Sequence, residues 1–231
     1  IRDRPESFTL TFTGDFTPGC RPGQESDPKS YVGTVGEDYE FPFANLREIF
    51  SADDFTFINL EVVLGDAGKA ANKTFVFRGP EEYVQIMTSS SVEAVTLANN
   101  HTDDYGKPGY QSTVEALEAE GIKYSGETEF GRDVYWFDFE NDVRIGFLGL
   151  IPAYYSKNEA KVKQDVQKLK DAGCDVIIAS IHCGKEENPT HSQMTDTYRK
   201  KATALGAHIV VGTHPHVPQG IHVEKGITTL Y

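Results

Sequence analysis

A chain of 231 residues, 39% hydrophobic and rich in Phe (14) and Tyr (11), has the apolar material for a substantial core, and its length suits one α/β sandwich. Lys and Arg number 22 against 35 Asp and Glu, a formal charge of −13, which argues against nucleic-acid binding and against docking on anionic lipid. The same field repels a polyanionic substrate unless a local cationic centre overrides it. No apolar run approaches the ~18 residues of a membrane span; the longest are 145–151 and 176–181. The chain opens on Ile1-Arg2-Asp3-Arg4, with no signal peptide, so any anchoring segment is expected to have been removed or never to have existed.

In chain order, a first strand is expected at 8–13, running into Gly14-Asp15. Residues 21–39, rich in Gly, Pro and Ser, read as a long loop. A helix is expected over 43–50, then a strand from Phe55 that runs through Asn59 to Glu61. A second helix covers 81–88, and a short strand at 94–98 leads into Asn99-Asn100-His101. From there one pattern recurs: amphipathic helix, closing glycine, apolar strand. Tyr110, Val114 and Leu117 precede Gly121 and the strand Ile122-Lys123-Tyr124. Val162, Val166 and Leu169 precede Gly173 and the run 174–181. Met194, Tyr198, Ala202 and Leu205 precede Gly206 and the run 207–211. A glycine just past a helix accepts the left-handed conformation that closes it. Between the first two repeats, 134–139 and Val143–Leu150 flank Glu140-Asn141-Asp142 and read as an antiparallel hairpin. Residues 226–231 read as a strand that stops early, so the natural protein is expected to continue.

Helices alternating with nearly continuous apolar strands imply a largely parallel sheet covered on both faces. With no repeat, low-complexity tract or linker, residues 1–231 read as one domain. Cys20, Cys174 and Cys183 form no disulfide framework, being odd in number and lacking a C-x-x-C. Cys174 and Cys183 flank one predicted strand and read as small buried hydrophobes.

The chemistry gathers where these strands end. Asp15 follows the first, Asn59 and Glu61 the second, Asn100 and His101 the third, and His182 the strand 176–180. His214 and His216 follow 207–211 in Gly212-Thr213-His214-Pro215-His216. Ligand sites in open α/β sheets lie at the carboxyl ends of strands. In an extended backbone His214 and His216 would project to one side, and Pro215 biases His214 towards that conformation. Each residue alone has a structural explanation as a turn former, a cap or a core histidine. Together they form an oxygen and nitrogen donor set without thiolate, suited to Mn, Fe, Zn or Mg. His191, His208 and His222 read as structural or surface residues.

Gly14-Asp15, Asn59-Leu60-Glu61, Ala98-Asn99-Asn100-His101 with Asp104-Tyr105-Gly106, His182-x-Gly184-x-Glu186 and Gly212-x-His214-Pro215-His216-x-x-Gln219 resemble, in order and over nearly the whole chain, the bacterial CapA / poly-gamma-glutamate capsule biosynthesis family. The resemblance implies a relative of the calcineurin-like metallophosphoesterases, an α/β protein with a four-layer α/β/β/α sandwich and a site for two divalent metal ions. Asp15 matches the carboxylate that holds one metal, and Glu61, with Asn59 nearby, the bridging carboxylate. Asn100 and His182 match ligands of the second metal, while His214 and His216 divide between the ions. His101 would face the substrate as proton donor or oxyanion stabiliser. Glu186 and Asp104 match supporting or acid/base groups, and Arg78, in Phe77-Arg78-Gly79-Pro80, an anion clamp. A Ser-Leu-Gly-Asn-type segment usually follows the strand that matches 227–231; its absence implies a shortened chain.

Two departures stand out. Phosphoesterases usually carry Asp-x-His and Gly-Asp-x-x-Asp where this chain has Asp15-Phe16-Thr17 and Asn59-Leu60-Glu61, so one metal loses a histidine and the bridge becomes a longer Glu. The readings left open are a metal-dependent hydrolase-like component of capsule synthesis, a non-catalytic surface protein that binds or anchors an acidic polymer, and a general metal-dependent phosphoesterase. The resemblance also implies a cell-surface location through an N-terminal anchor, an anionic polymer or small anionic substrate, and other capsule-synthesis membrane proteins as partners.

Overall fold

The computed structural model describes residues 7–128, 130–139 and 142–231, and the chain divides into two compact units. The first comprises Phe8–Val95 and Asn100–Tyr124; the second is built on Thr96–Asn99 and Ser125–Tyr231.

In the first unit β1 (Leu10–Phe16) pairs in parallel with β2 (Phe55–Leu60). The first strand therefore does not stop at residue 13: it continues through Asp15, and Glu61 extends the ladder by donating its amide to the Phe16 carbonyl at 2.8 Å. The predicted loop 21–39 contains a short helix, α1 (Tyr31–Val35), capped by the Ser30 hydroxyl, which accepts the Gly33 amide. The helix expected over 43–50 begins later, as α2 (Arg47–Ala52). Turns precede it, and they bury Phe43 between Phe16 and Phe50, at ring separations of 4.7 and 5.5 Å. Phe43 is thus held by aromatic packing across turns rather than on a helix.

The short strands β3 (Val63–Leu64) and β4 (Arg78–Gly79) pair in parallel. A 3₁₀ turn (Glu81–Tyr83) then runs into α3 (Val84–Thr88). After β5 (Ala94–Thr96) comes α4 (Gly106–Ala119). It buries Tyr110, Thr113 and Leu117 rather than Val114, because the Thr113 hydroxyl accepts the Leu64 amide at 2.9 Å and donates to the Gly109 carbonyl.

In the second unit, following β6 (Lys123–Glu127) and β7 (Arg132–Asp133), β8 (Tyr135–Phe139) and β9 (Val143–Leu150) form the predicted antiparallel pair. Its turn residues Glu140 and Asn141 lie outside the described residues. Then α5 (Pro152–Asp171), β10 (Val176–His182), α6 (Gln193–Leu205), β11 (Ile209–Thr213), β12 (Ile221–Glu224) and β13 (Ile227–Leu230) complete the chain. One sheet has the order β1-β2-β5-β6-β7, the other β12-β13-β11-β10-β9-β8. β9, β10 and β11 run parallel, as expected of strands joined through helices, and β13, reached through the antiparallel strand β12, pairs parallel with β11. The closing glycines have positive φ as predicted: 75° at Gly121, 79° at Gly173 and 116° at Gly206.

Tyr155, Val162, Val166 and Leu169 of α5 pack with Ile177, Ala179 and Ile181 of β10 in one buried cluster. These odd-numbered β10 residues share a face, so Ile178, Ser180 and His182 take the opposite one. Burial thus decides which way His182 points. Cys183 is buried in the same cluster, its thiol pushed up to about 11 by desolvation, while Cys174 is half-buried against it. The edge strand β12 is exposed throughout, with Ile221 72% and Val223 64% accessible. No described helix is long and apolar enough to cross a membrane.

Candidate functional site

The first unit assembles a carboxylate cluster. Between Phe12, opposite Phe57, and Asp15, opposite Asn59, β1 carries one residue more than β2. Phe12 and Phe57 meet edge to face at 6.1 Å, so strict alternation would put Gly14 on their face and Asp15 on the other. The extra residue, a bulge of a kind rare between parallel strands, turns Asp15 onto the face of Asn59 and Glu61. There the Asn59 amide donates to Asp15 Oδ1 at 2.6 Å, and the Asp15 and Glu61 carboxylates offer oxygens within 4.8 Å of each other. Glu61 is only 2% exposed.

His101 lies beside this pair. Its Nε2 is 3.9 Å from Glu61 Oε1, and its Nδ1 is 2.8 Å from Asp104 Oδ2. An imidazole that donates from Nδ1 to a carboxylate keeps Nε2 for chemistry, with its ring orientation fixed. Asp104, wholly buried, also accepts the Phe77 amide at 2.6 Å and pairs with the Lys73 ammonium. It thereby positions its neighbours rather than meeting solvent itself. Lys73 also donates to the backbone carbonyl of Asn100, whose side chain is half-buried. The Phe77 ring packs against His101 at 4.7 Å. Arg78 has other work: its guanidinium donates to the carbonyls of Asp66 and Ala67 and stacks 3.6 Å over the Tyr105 ring. It also borders a cavity of about 320 Å³ with Glu25, Asp66, Glu81 and Glu82.

The second unit assembles imidazoles. His182, 3% exposed at the end of β10, has Nδ1 3.0 Å from the Thr213 hydroxyl, which leaves Nε2 as a ligand atom. The His182 and His214 rings meet edge to face at 4.7 Å. His214 and His216 offer nitrogens within 4.8 Å of each other, but not by the extended route the sequence suggested. β11 ends at Thr213, and His214 and His216 have φ of 97° and 57°. Such backbone costs roughly 1–3 kcal/mol at each non-glycine residue and persists only where the surroundings hold it. The turn, not strand alternation, brings the two rings together. Glu186 is exposed in the loop after β10. His191 stacks on Tyr231, His208 accepts the Ile177 amide, and His222 pairs with Glu224, so each has a structural contact.

Two carboxylates in one unit and closely spaced imidazoles in the other are donors of the kind that borderline or hard divalent ions take, and a carboxylate as buried as that of Glu61 needs a cationic partner. The residues present fit such a cofactor. Sequence reasoning missed Lys73, Phe77 and Thr213. Thr213, between Gly212 and His214, was open to notice; nothing in the sequence around Lys73 announces its pairing with a buried carboxylate.

Residues 9–231 match the family described as Bacterial capsule synthesis protein PGA_cap. Capsule biosynthesis protein CapA of Bacillus anthracis is 28% identical over 95% of this chain and 57% of its own length. PGA biosynthesis protein CapA of Bacillus subtilis (strain 168) is 25% identical over 97% of this chain and 61% of its own. The chain therefore spans less than two thirds of the relatives it matches. Among solved structures, TT1561 of Thermus thermophilus aligns with a TM-score of 0.50 at 9% identity, over 84% of this chain and 82% of that one. At such identity the likeness shows the fold alone, a mixed α/β architecture with parallel strands.

Proposed function

The chain belongs to the bacterial capsule synthesis protein family PGA_cap, and from that membership we propose that it serves the synthesis of a poly-gamma-glutamate-like surface polymer through a metal-dependent, hydrolase-like site. The ligands are Asp15, Glu61, Asn100, His182, His214 and His216, and the ions are two of Mn, Fe, Zn or Mg. The observation that carries this reading is the imidazole pair His214 and His216, held within 4.8 Å by a turn whose φ values no unburdened sequence would choose.

Ions bound to these ligands supply an activated water near neutral pH and a clamp on phosphoryl or carboxyl oxygens. His101, oriented by Asp104, holds a proton at Nε2 for a leaving group; Asp104 in turn is kept ready by Lys73. Glu186 is exposed and free to meet a polymer. Arg78 orders its loop through the Asp66 and Ala67 carbonyls and borders the cavity beside it, where it is the group able to meet an anion. The cationic centre is what allows a chain of charge −13 to receive an anionic polymer or a small anionic substrate. The protein works at the cell envelope, anchored through a segment outside this sequence, beside other capsule-synthesis membrane proteins.

Elemental analysis of the purified protein tests the reading. Divalent metal should copurify or reconstitute with it, and the double variant His214→Ala/His216→Ala should carry none; equal metal content in the two proteins sinks the proposal. A second reading, a non-catalytic polymer-binding or anchoring protein, is favoured by one contact. The Asn59 amide occupies an oxygen of Asp15, and Thr17 stands where a phosphoesterase has its histidine. Chelator-sensitive turnover of poly-gamma-glutamate or of a generic phosphodiester would decide for the enzyme.

A further inference from the structure

We infer that Gly184 is a positioning residue for the imidazole pair, acting through Pro215; the inference rests on the metal-binding reading above. The loop after β10 and the turn after β11 are tied together around this proline. The Cys183 amide donates to the Thr213 carbonyl at 3.2 Å, and the Glu187 amide to the Pro215 carbonyl at 2.8 Å. The Gln219 side-chain amide donates to the Asn188 carbonyl at 2.6 Å.

Gly184 closes the arrangement from the other side. A Cβ built on it would sit 3.1 Å from Pro215 Cγ and 3.6 Å from Thr195 Oγ1, and its φ of 142° belongs to glycine. Pro215 is thus held on its carbonyl by the Glu187 amide, and the space its ring occupies is left free because residue 184 carries no side chain. The residues on either side of it are His214 and His216, both at positive φ. For His214 this is doubly unfavourable, since a residue before proline is driven towards extended backbone. The grip on Pro215 holds both rings at ligand spacing before any ion arrives, and it needs a residue without a side chain at 184.

A methyl group there must push Pro215 by a few tenths of an ångström and impose its own backbone strain. Metal affinity, rather than folding, should register the change. Outer groups that orient ligands typically alter affinity by 10–100-fold, and Gly184→Ala is expected to weaken binding about tenfold, at the low end of that range. Zn²⁺ alone, titrated against a fluorescent chelator, gives the affinity, and circular dichroism of the metal-free protein gives the fold.

Pro215→Ala, which removes the ring, should weaken binding to a similar degree and keeps the test alive if Gly184→Ala does not fold. In the Pro215→Ala background the added methyl at 184 should have little further effect. Wild-type affinity in both single variants overturns the inference while leaving the metal reading intact. Failure of the wild-type protein to bind Zn²⁺, or wild-type affinity in His214→Ala/His216→Ala, overturns the metal reading and this inference with it.

Discussion

The carboxylate cluster of the first unit and the imidazole cluster of the second are built by opposite means. Asp15, Asn59 and Glu61 stand on paired strands, and a single extra residue in β1 is all that aims Asp15. His214 and His216 stand on a turn whose backbone is unfavourable in itself and is held by packing around Pro215. A ladder of backbone hydrogen bonds places the first set whatever the side chains do. The second set depends on a few contacts from a neighbouring loop. Donors of one class are therefore tolerant of substitution around them, and donors of the other are not.

The largest effect that would break this contrast concerns the ligands themselves. His214→Ala/His216→Ala should lose all bound metal, yet the metal-free variant should unfold at about the same urea concentration as metal-free wild type, since alanine at these positive φ angles bears the same backbone strain as histidine; metal content and urea midpoints read the two halves of that statement. Next comes Asp104→Ala. It takes the acceptor from the buried Phe77 amide and the partner from His101 Nδ1, while Lys73, a third exposed, keeps the Asn100 carbonyl; leaving buried polar groups unpaired costs about 1–3 kcal/mol. Urea unfolding should show it, and an effect below about 1 kcal/mol would mean water replaces the carboxylate.

Asn59→Ala should be milder. The strand pairing survives, so metal affinity should fall by about tenfold at most, measured by chelator competition; a complete loss would erase the claimed tolerance of the ladder-built set.

The smallest effect is a control in the second unit, at a hydroxyl bound to α6 rather than to a proposed ligand. The Tyr231 hydroxyl donates to Asp196 at 2.6 Å and is the main cause holding that carboxyl below its usual range, with Arg199 and His191 assisting. A depressed carboxylate stabilises the fold above its unfolded pKa and loses that contribution as pH falls through the folded value. Tyr231→Phe should therefore flatten the stability loss below about pH 4, cost about 1 kcal/mol near neutrality and leave metal content unchanged.

The same contrast explains what could be read from the sequence. The helices and strands of the recurring pattern, one in the first unit and two in the second, were legible because each repeats an apolar period closed by glycine, and Gly121, Gly173 and Gly206 do close their helices. The donors were legible by type and by their place near strand ends. Their geometry was less so. Phe12 and Phe57 gave no sign of the bulge between them and Asp15, and the rule that residues before proline are extended pointed the wrong way at His214. Phe43 misled because aromatic packing across turns, rather than a helix, holds it. Lys73 could not have been found, since the burial of Asp104 is a property of the folded chain. Local propensity is readable; strain held in place by distant contacts is not.

The edge strand β12 carries a practical consequence. Ile221 and Val223 present an apolar stripe on a strand at the end of its sheet's order, the kind of border along which molecules stack on one another. A charge of −13 keeps molecules apart at neutral pH, but that mutual repulsion vanishes at the isoelectric point near 4.9. Turbidity should therefore rise as solutions are acidified towards that value, and a lysine in place of Val223 is the change that would keep them clear.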